Sequence, residues 1–407
     1  MKGYFSFIAL LFLAGLYSCS NVDTDNNSPA LVWKKSLTPG SLIIGSMFAN
    51  VQFNNGVLLA GMDNNGRCLY FINSTDGSIR WKWNDYFSTD VRWLVELPFV
   101  YQNKVLIVDG RYQYCIDLDN GKTAWKKMTA DYVSFYTSGN TSDYFITARQ
   151  YKNVNGTTEG KLLYGNLLNG IDNILSEISY SRTYTNFNNS VGDLYGRGEY
   201  IAKDNFEGVL INFSDPLPEY KQNFFLGLYN LKKKMWEYDK KPFFLNASYG
   251  MFPSLVVNNF LINAVGKTLQ CNNILTGEPV WSQTLSDLNS SKVGLADGKL
   301  IVTTQDRITH CIDPVTGKEL WALTTSGNPG IVHELNGIAY FVGGNAKLFA
   351  IDVAAGKILW QFSSPDQQQN SNAFWQEGVR VVPGTNGQKG KVIVSSYLNG
   401  YCYEAIR

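Results

Sequence analysis

Short apolar stretches alternate with polar turns along most of this 407-residue chain. One pattern occurs five times: an apolar stretch, an acid or amide, a turn that ends in Gly, and a Trp four residues after that Gly. The five pairs are Gly77 and Trp81, Gly121 and Trp125, Gly277 and Trp281, Gly317 and Trp321, and Gly356 and Trp360. Another short apolar stretch precedes each copy, and no helical periodicity is evident after the N-terminal segment. The chain is therefore predicted to be all-β, with short strands joined by tight turns.

The copies follow one another at intervals typical of a repeat architecture, in which units of roughly 40–45 residues bury their apolar faces against their neighbours. The longer interval between Trp125 and Trp236 suits two weaker copies. The last copy lacks a final strand, which we expect the segment Leu31-Val32-Trp33 to supply from the other end of the chain. This predicts an eight-bladed β-propeller, closed by an N-terminal strand so that no sheet edge is left open. Seven blades are the alternative, if residues 140–240 form one blade.

The repeat carries a consensus. Five residues match the pattern Ala-x-Asp-x-x-x-Gly-Lys-x-x-Trp: Ala350, Asp352, Gly356, Lys357 and Trp360. The copies that end at Trp125 and Trp321 match it with Cys in place of Ala. This pattern resembles the tryptophan-docking repeat of the PQQ-like (quinoprotein-type) β-propellers. The resemblance covers roughly residues 31–407 and implies that the Trp rings lie between neighbouring blades, but it says little about chemistry.

The cysteines of the repeat are predicted to be buried core residues. Cys115, Cys271, Cys311 and Cys402 fall at one position of the repeat, where the consensus has Ala. Equivalent positions in different blades are expected to be too far apart for a disulfide, which requires Cα atoms within about 7 Å of each other. We therefore expect no disulfides and small buried side chains at these positions.

The first residues have the form of a targeting segment. Lys2 precedes an apolar run that is too short to span a membrane as a helix and that ends in Leu16-Tyr17-Ser18-Cys19. This ending resembles a bacterial lipobox, which implies a signal peptide at residues 1–18 and a lipidated Cys19. Residues 19–30 are then the lipidated Cys and a flexible tether, and residues 31–407 form the propeller. The implied product is a monomeric, lipid-anchored protein of the outer membrane, periplasmic or surface-exposed.

Composition and residue placement argue against several functions. The net charge is +1 and the basic residues are dispersed, so nucleic acid is not an expected partner. The two histidines, His310 and His333, occupy unrelated repeat positions and do not make a zinc set or a catalytic triad. The chain also lacks the adjacent cysteines of the quinoprotein alcohol dehydrogenases. We expect no catalytic, cofactor-binding or metal-binding residues and no enzymatic activity, and a PQQ-dependent dehydrogenase is the least favoured hypothesis.

Aromatic residues are frequent in the segments that follow the repeat Trp residues and lead to the next blade. The possible binding face comprises Tyr86, Phe87, Trp93, Tyr136, Tyr249, Phe252 and Trp375. Such rings beside Asn, Ser and Thr suit contact with a protein or a glycan; the alternative is that many are core residues of inner strands. The lipobox and the blade number resemble the propeller lipoproteins of outer-membrane β-barrel assembly. This implies a non-enzymatic scaffold that binds envelope proteins, and the alternative is a surface lipoprotein that binds a glycan or small ligand.

Overall fold

The computed structural model describes residues 28–38, 51–87, 99–109, 112–128, 144–152, 157–176, 182–183, 199–203, 205–217, 221–248, 255–286, 288, 293–327, 330–385 and 387–407. Within these ranges the regular elements are β-strands, apart from one 3-10 helix at Pro365–Gln368. The strands pair antiparallel in four-stranded sheets. The all-β prediction is confirmed.

The described strands form eight sheets, numbered I to VIII here. Sheet I contains β2 (Val51–Phe53), β3 (Gly56–Asp63), β4 (Gly66–Asn73) and β5 (Ile79–Trp83), and sheet II contains β6 (Phe99–Tyr101), β7 (Lys104–Asp109), β8 (Tyr112–Asp117) and β9 (Thr123–Met128). Sheet III contains β10 (Tyr144–Lys152), β11 (Thr157–Asn166), β12 (Asp172–Ser176) and β13 (Arg182–Thr183), and sheet IV contains β14 (Glu199–Lys203), β15 (Phe206–Leu217), β16 (Lys221–Asn230) and β17 (Met235–Ser248). Sheet V contains β18 (Leu255–Val257), β19 (Phe260–Val265), β20 (Thr268–Asn273) and β21 (Pro279–Thr284), and sheet VI contains β22 (Val293–Ala296), β23 (Lys299–Thr303), β24 (Ile308–Ile312) and β25 (Glu319–Thr324). Sheet VII contains β26 (His333–Leu335), β27 (Ile338–Val342), β28 (Lys347–Asp352) and β29 (Lys357–Ser363), and sheet VIII contains β1 (Leu31–Ser36), β30 (Trp375–Val382), β31 (Lys391–Ser396) and β32 (Asn399–Glu404).

Strand order within the sheets is simple. In sheets I, II and IV to VII the strands lie in chain order, whereas in sheet III β13 pairs with β11. Sheet VIII has the order β1-β32-β31-β30, and in it Trp33 pairs with Cys402 and Lys35 with Gly400. In an antiparallel sheet in chain order, the hairpin between the second and third strands lies at the same end as the segment that leaves the fourth strand. We call this the loop end of a sheet.

Hydrophobic clusters join successive sheets. Among the described residues they connect I with II, II with III, IV with V, V with VI, VI with VII, VII with VIII, and VIII with I. The middle strands are covered on both faces, so Ile338–Val342 is a continuous buried apolar run. The fourth strands have one face toward solvent, and Glu319–Thr324 accordingly alternates between half-buried and exposed residues.

A second kind of contact between sheets joins an aromatic ring to a glycine turn. Trp281 on β21 donates from Nε1 to the carbonyl oxygen of Pro314 in sheet VI at 2.9 Å. Its indole lies against Gly317, which has a φ of 71°, and a Cβ placed there would be 2.6 Å from the indole. Both the backbone conformation and the close approach therefore require glycine. We call this arrangement the docking contact.

The docking contact recurs from sheet to sheet. Four further indoles cover a glycine turn of the following sheet, with the pairs Trp33–Gly77, Trp81–Gly121, Trp125–Gly170 and Trp321–Gly356. Their Nε1 atoms donate to the carbonyl oxygens of Ser74, Leu118, Leu167 and Val353. The Gly and the Trp of one repeat therefore serve different contacts, because each Trp reaches the Gly of the next sheet.

Three junctions between successive sheets depart from this rule, and at one of them, between sheets III and IV, the described residues form no docking contact. The sequence count used Trp236 as the repeat Trp of sheet IV, and this was wrong: the hydroxyl of Tyr238 donates to the carbonyl oxygen of Ile274 at 2.7 Å, and its ring lies 3.2 Å from a Cβ placed at Gly277. Trp360 is buried, but its Nε1 has no hydrogen-bond partner within the described residues. It packs against Tyr340 and Phe362 instead.

We predict that Gly317→Ala destabilises the protein more than Gly298→Ala. Both residues lie in turns of sheet VI with similar φ, 71° and 68°, but no atom lies within 4 Å of a Cβ placed at Gly298. Gly298→Ala should cost about 1–2 kcal/mol, which is the cost of a left-handed Ala. Gly317→Ala should cost a further ~1–3 kcal/mol, because its methyl group meets the Trp281 ring. Urea denaturation measures both values, and equal losses would contradict the docking contact.

Candidate functional site

The two histidines each contact neighbouring side chains of the fold. The Nδ1 of His310 lies 2.6 Å from Glu319 Oε2, and its Nε2 lies 3.4 Å from the hydroxyl of Thr304. The Nδ1 of His333 lies 3.4 Å from Arg380 Nη1. Burial, together with the charge of Arg380, lowers the pKa of His333 to about 3, so this ring is neutral at physiological pH.

The fold determines the surroundings of the potential metal ligands and of the repeat cysteines among the described residues. The described residues contain no group of three or more His, Cys, Asp or Glu side chains that could hold a metal ion. Cys115, Cys271, Cys311 and Cys402 each pair with the docking Trp of their own sheet and are buried, as predicted. Burial raises the pKa of Cys115 and Cys402 to about 12, so these thiols are not nucleophiles at neutral pH. Within the described part of the chain, no helix is long and apolar enough to cross a bilayer.

A fully buried carboxylate, Asp366, is the most unusual ionisable group in the described residues. Its oxygens accept hydrogen bonds from Ser396 Oγ at 2.5 Å, Tyr401 OH at 2.6 Å and Asn399 Nδ2 at 2.8 and 2.9 Å. Lys34 Nζ on β1 forms an ion pair with it at 3.0 Å. Burial of the carboxyl opposes ionisation, but these hydrogen bonds outweigh it and lower the pKa of Asp366.

The Asp366 group therefore connects β1 to the C-terminal strands. Lys34 belongs to the first strand, whereas Ser396 belongs to β31 and Asn399 and Tyr401 belong to β32. Because the protein itself supplies donors to both carboxylate oxygens, the group has a structural explanation and does not resemble a binding site.

The predicted aromatic face is only partly within the described residues. Tyr86 and Phe87 follow β5 at the loop end of sheet I. Tyr86 packs edge-on against Trp83, with ring centroids 4.5 Å apart, and is half-buried. Phe87 is 43% exposed and lies 5.3 Å from the ring of Tyr112, with Lys126 Nζ 5.1 Å from its own ring centroid. Four members lie outside the described residues: Trp93, Tyr136, Tyr249 and Phe252.

The inclusion of Trp375 in this face was wrong. Trp375 begins β30 and is only 3% exposed. Its Nε1 donates to the carbonyl oxygen of Phe362 at 3.2 Å, and its ring meets the ring of Tyr401 edge-on at 5.1 Å. The segment after the 3-10 helix enters an inner strand directly, so this aromatic residue is a core residue and not a loop residue.

A groove between sheets VI and VII was not predicted from the sequence. It has a volume of about 400 Å³ and lies at the loop end. Its walls are the β23–β24 hairpin with Gln305 and Arg307, residues 325–327 after β25, and the β27–β28 hairpin with Gly344 and Asn345. Three segments distant in sequence contribute one or two polar residues each, so no local pattern marks the site.

The comparisons with known proteins agree with the repeat. The model of a PQQ-type family described as outer membrane protein assembly factor BamB matches residues 234–405. An uncharacterized protein of Rickettsia conorii is 25% identical over 171 residues, which are 41% of this chain and 35% of that protein. The chain therefore spans about a third of the length of this relative. The resemblance to the PQQ-like β-propellers is confirmed.

Solved structures give the same fold. BamB from Moraxella catarrhalis has a TM-score of 0.51 at 14% identity, covering 93% of this chain and 100% of that one. The quinohemoprotein alcohol dehydrogenase from Comamonas testosteroni has a TM-score of 0.63 at 9% identity, covering 93% and 76%. Sqt1 from Saccharomyces cerevisiae has a TM-score of 0.63 at 12% identity, covering 92% and 99%. At such identities the likeness shows the propeller fold alone.

We predict that Asp366→Asn lowers the free energy of unfolding by about 3–5 kcal/mol at neutral pH, because it leaves a network built around a buried charge without that charge. The pKa of Asp366 is lower in the folded protein than in the unfolded chain. The contribution of this carboxylate is therefore fully present above about pH 4 and is lost as the pH falls through the folded pKa.

Denaturation between neutral and acidic pH measures this effect. The stability of Asp366→Asn should fall less steeply with acid than that of the unaltered protein. Asp297→Asn, in an exposed turn, is the matched control and should follow the unaltered protein. Parallel curves for all three proteins would contradict the assignment.

Proposed function

We propose that this chain is a non-enzymatic, lipid-anchored β-propeller that binds envelope proteins as an assembly scaffold. The observation that carries the proposal is the match of residues 234–405 to the family model named for an outer-membrane assembly factor. The ionisable groups described above add support, because hydrogen bonds, ion pairs and burial within the fold account for them. A second envelope function, glycan or small-ligand binding, draws support from the polar groove.

We further propose that sheets I to VIII are the eight blades of one closed propeller. The hydrophobic clusters support this, since they join every neighbouring pair except III and IV among the described residues. The seven-blade alternative is less favoured, because residues 144–248 contribute two sheets. The pairing of β1 with β32 and the Trp33 docking contact with sheet I support closure by the N-terminal strand.

The anchor is part of the same proposal. Residues 1–18 would be removed as a signal peptide, Cys19 would be lipidated, residues 19–30 would tether residues 31–407, and the protein would lie at the outer membrane, periplasmic or surface-exposed. A lipidated N-terminal cysteine gives stable anchoring because it carries more than one acyl chain. Mass spectrometry of the mature protein tests this: an unlipidated N-terminus elsewhere in the chain would contradict it, as would membrane retention of Cys19→Ala after processing.

We place the partner surface at the loop end. Phe87 is its best-supported member, because a large exposed apolar ring that already packs on Tyr112 can bury further area at little conformational cost. Tyr86 and Phe87 both pack on the ring of Tyr114, with centroids 5.6 and 5.8 Å away. Trp93, Tyr136, Tyr249 and Phe252 are assigned to this surface by sequence pattern alone.

The dehydrogenase hypothesis stays the least favoured. The relation to the alcohol dehydrogenase is one of fold at 9% identity, and the sequence lacks the adjacent cysteines of that class. The proposal therefore includes neither PQQ nor catalysis. Dye reduction by purified protein supplied with PQQ and calcium would overturn this part of it.

We predict that replacing Phe87, Tyr136 and Tyr249 together with Ala weakens partner binding about tenfold or more, as expected for the loss of aromatic anchors. The measurement is a pull-down of the full lipidated protein from solubilised envelope, followed by quantitative mass spectrometry. The matched control is Val315→Ala, an exposed apolar residue in the turn between β24 and β25, at the opposite end of its sheet.

The identity of the captured proteins also matters. Capture of barrel-assembly proteins that is lost in the triple variant and kept in Val315→Ala supports the scaffold. Equal capture by both variants would remove the proposed surface, and capture of glycan-system proteins alone would favour the second function.

A further inference from the structure

The groove between sheets VI and VII has walls that the fold holds in place. The amide of Thr325 donates to the carbonyl oxygen of Arg307 at 2.6 Å, which ties the segment after β25 to the β23–β24 hairpin. The amide of Gly344 donates to the carbonyl oxygen of Gly327 at 2.5 Å, which ties the same segment to sheet VII. The cavity of about 400 Å³ is therefore formed before any ligand arrives.

One wall contains a buried polar group that the described protein does not satisfy. Ser326 is 2% exposed, and its Oγ has no hydrogen-bond partner within the described residues. A buried hydroxyl without a partner lowers stability. The neighbouring Thr325 differs in this respect, because its hydroxyl lies 2.6 Å from the hydroxyl of Thr309. Ser326 is therefore a buried hydroxyl in the wall of the groove, next to Gly343, that has no hydrogen-bond partner within the described residues.

The remaining groups are mainly hydrogen-bond donors. Asn345 Oδ1 already accepts the amide of Lys347 at 3.0 Å, so the hydrogens on its Nδ2 are the groups left for a ligand. Arg307 is exposed and forms no ion pair within the described residues. The nearby carboxylate of Asp306 accepts a hydrogen bond from Thr304 and does not line the groove. A guanidinium and an amide thus line one cavity, and the Ser326 hydroxyl lies buried in its wall.

This combination selects among ligand chemistries. A guanidinium matches the geometry of a carboxylate, and an amide donor matches an additional oxygen. The described lining contains no aromatic side chain on which a neutral sugar could stack and no apolar side chain for a peptide residue. The volume lies near the lower end of the range for small-molecule sites. A compact, oxygen-rich acid fits these features best.

We propose that the groove between sheets VI and VII binds an acidic saccharide, with Arg307 holding the sugar carboxylate and Asn345 binding another of its oxygens. This site is separate from the aromatic surface that follows β5, so its test does not depend on the scaffold role. Either function can fail without the other.

Isothermal titration calorimetry with the full mature protein tests the site. The probes are galacturonate and N-acetylneuraminate, with galactose and galacturonate methyl ester as uncharged controls. We expect both acids to bind at millimolar concentration or below and the uncharged sugars to bind about tenfold more weakly, because each lacks the charge-assisted bond to Arg307.

Three substitutions separate binding from folding. Arg307→Gln should weaken the acids about tenfold, whereas Lys318→Gln, an exposed cation in the turn between β24 and β25, should not. Asn345→Asp keeps the acceptor for Lys347 but places a carboxylate in the groove, and should abolish binding.

Several results would overturn the proposal. These are no binding of either acid at millimolar concentration, equal binding of galacturonate and its methyl ester, or equal effects of Arg307→Gln and Lys318→Gln. Binding of the dipeptide Ala-Ala in preference to both acids would assign the groove to peptide carboxylates and would also contradict it.

Discussion

The docking contact between an aromatic ring and the glycine turn of the next sheet is the interaction on which this structure depends. A four-stranded sheet of this kind cannot cover its own two apolar faces, so its stability comes from its neighbours. The hydrophobic clusters supply the buried area, which is a non-directional contribution. The docking contact fixes the position, because the indole Nε1 must meet one carbonyl oxygen and the ring must lie on a residue without a side chain. Within the described residues, six sheets are located in this way relative to the sheet before them, and sheets IV and VIII have no such contact.

The two ends of the chain meet in sheet VIII, and this sheet makes the same docking contact through Trp33. Trp33 performs in sheet VIII the role that Trp281 performs in sheet V, so the first strand acts as the fourth strand of the last sheet. The buried Asp366 adds a charge-dependent connection at this point, through Lys34. This arrangement of sheets leaves the loop ends free to vary in sequence, since the docking contacts lie at the turns at the opposite end of each sheet. The exposed Phe87 and the polar groove both lie at loop ends, where variation does not disturb the fold.

Much of the fold could be predicted because the docking contact leaves a local trace. Gly and Trp recur at a fixed spacing, and the strands before them alternate as β-strands do. Tyr238 was missed because its hydroxyl reaches the same carbonyl position from a different residue type, and the nearby Trp236 matched the expected pattern better. Trp375 was misplaced because an inner strand and a connecting segment can have the same composition. The groove could not be predicted at all, since Arg307, Ser326 and Asn345 come together only after three segments pack, and the missing partner of Ser326 is a property of the folded protein.

Hydrogen–deuterium exchange of the outer strands tests most directly the claim that docking contacts position neighbouring sheets, including the sheet built from both ends of the chain. Amides of β1 would be compared with those of β25 and β21, which carry the equivalent Trp321 and Trp281. The account predicts comparable protection in the three strands and its loss in one cooperative event. Rapid exchange in β1 while β21 and β25 stay protected would show that the first strand is not held in the last sheet, and would contradict the account.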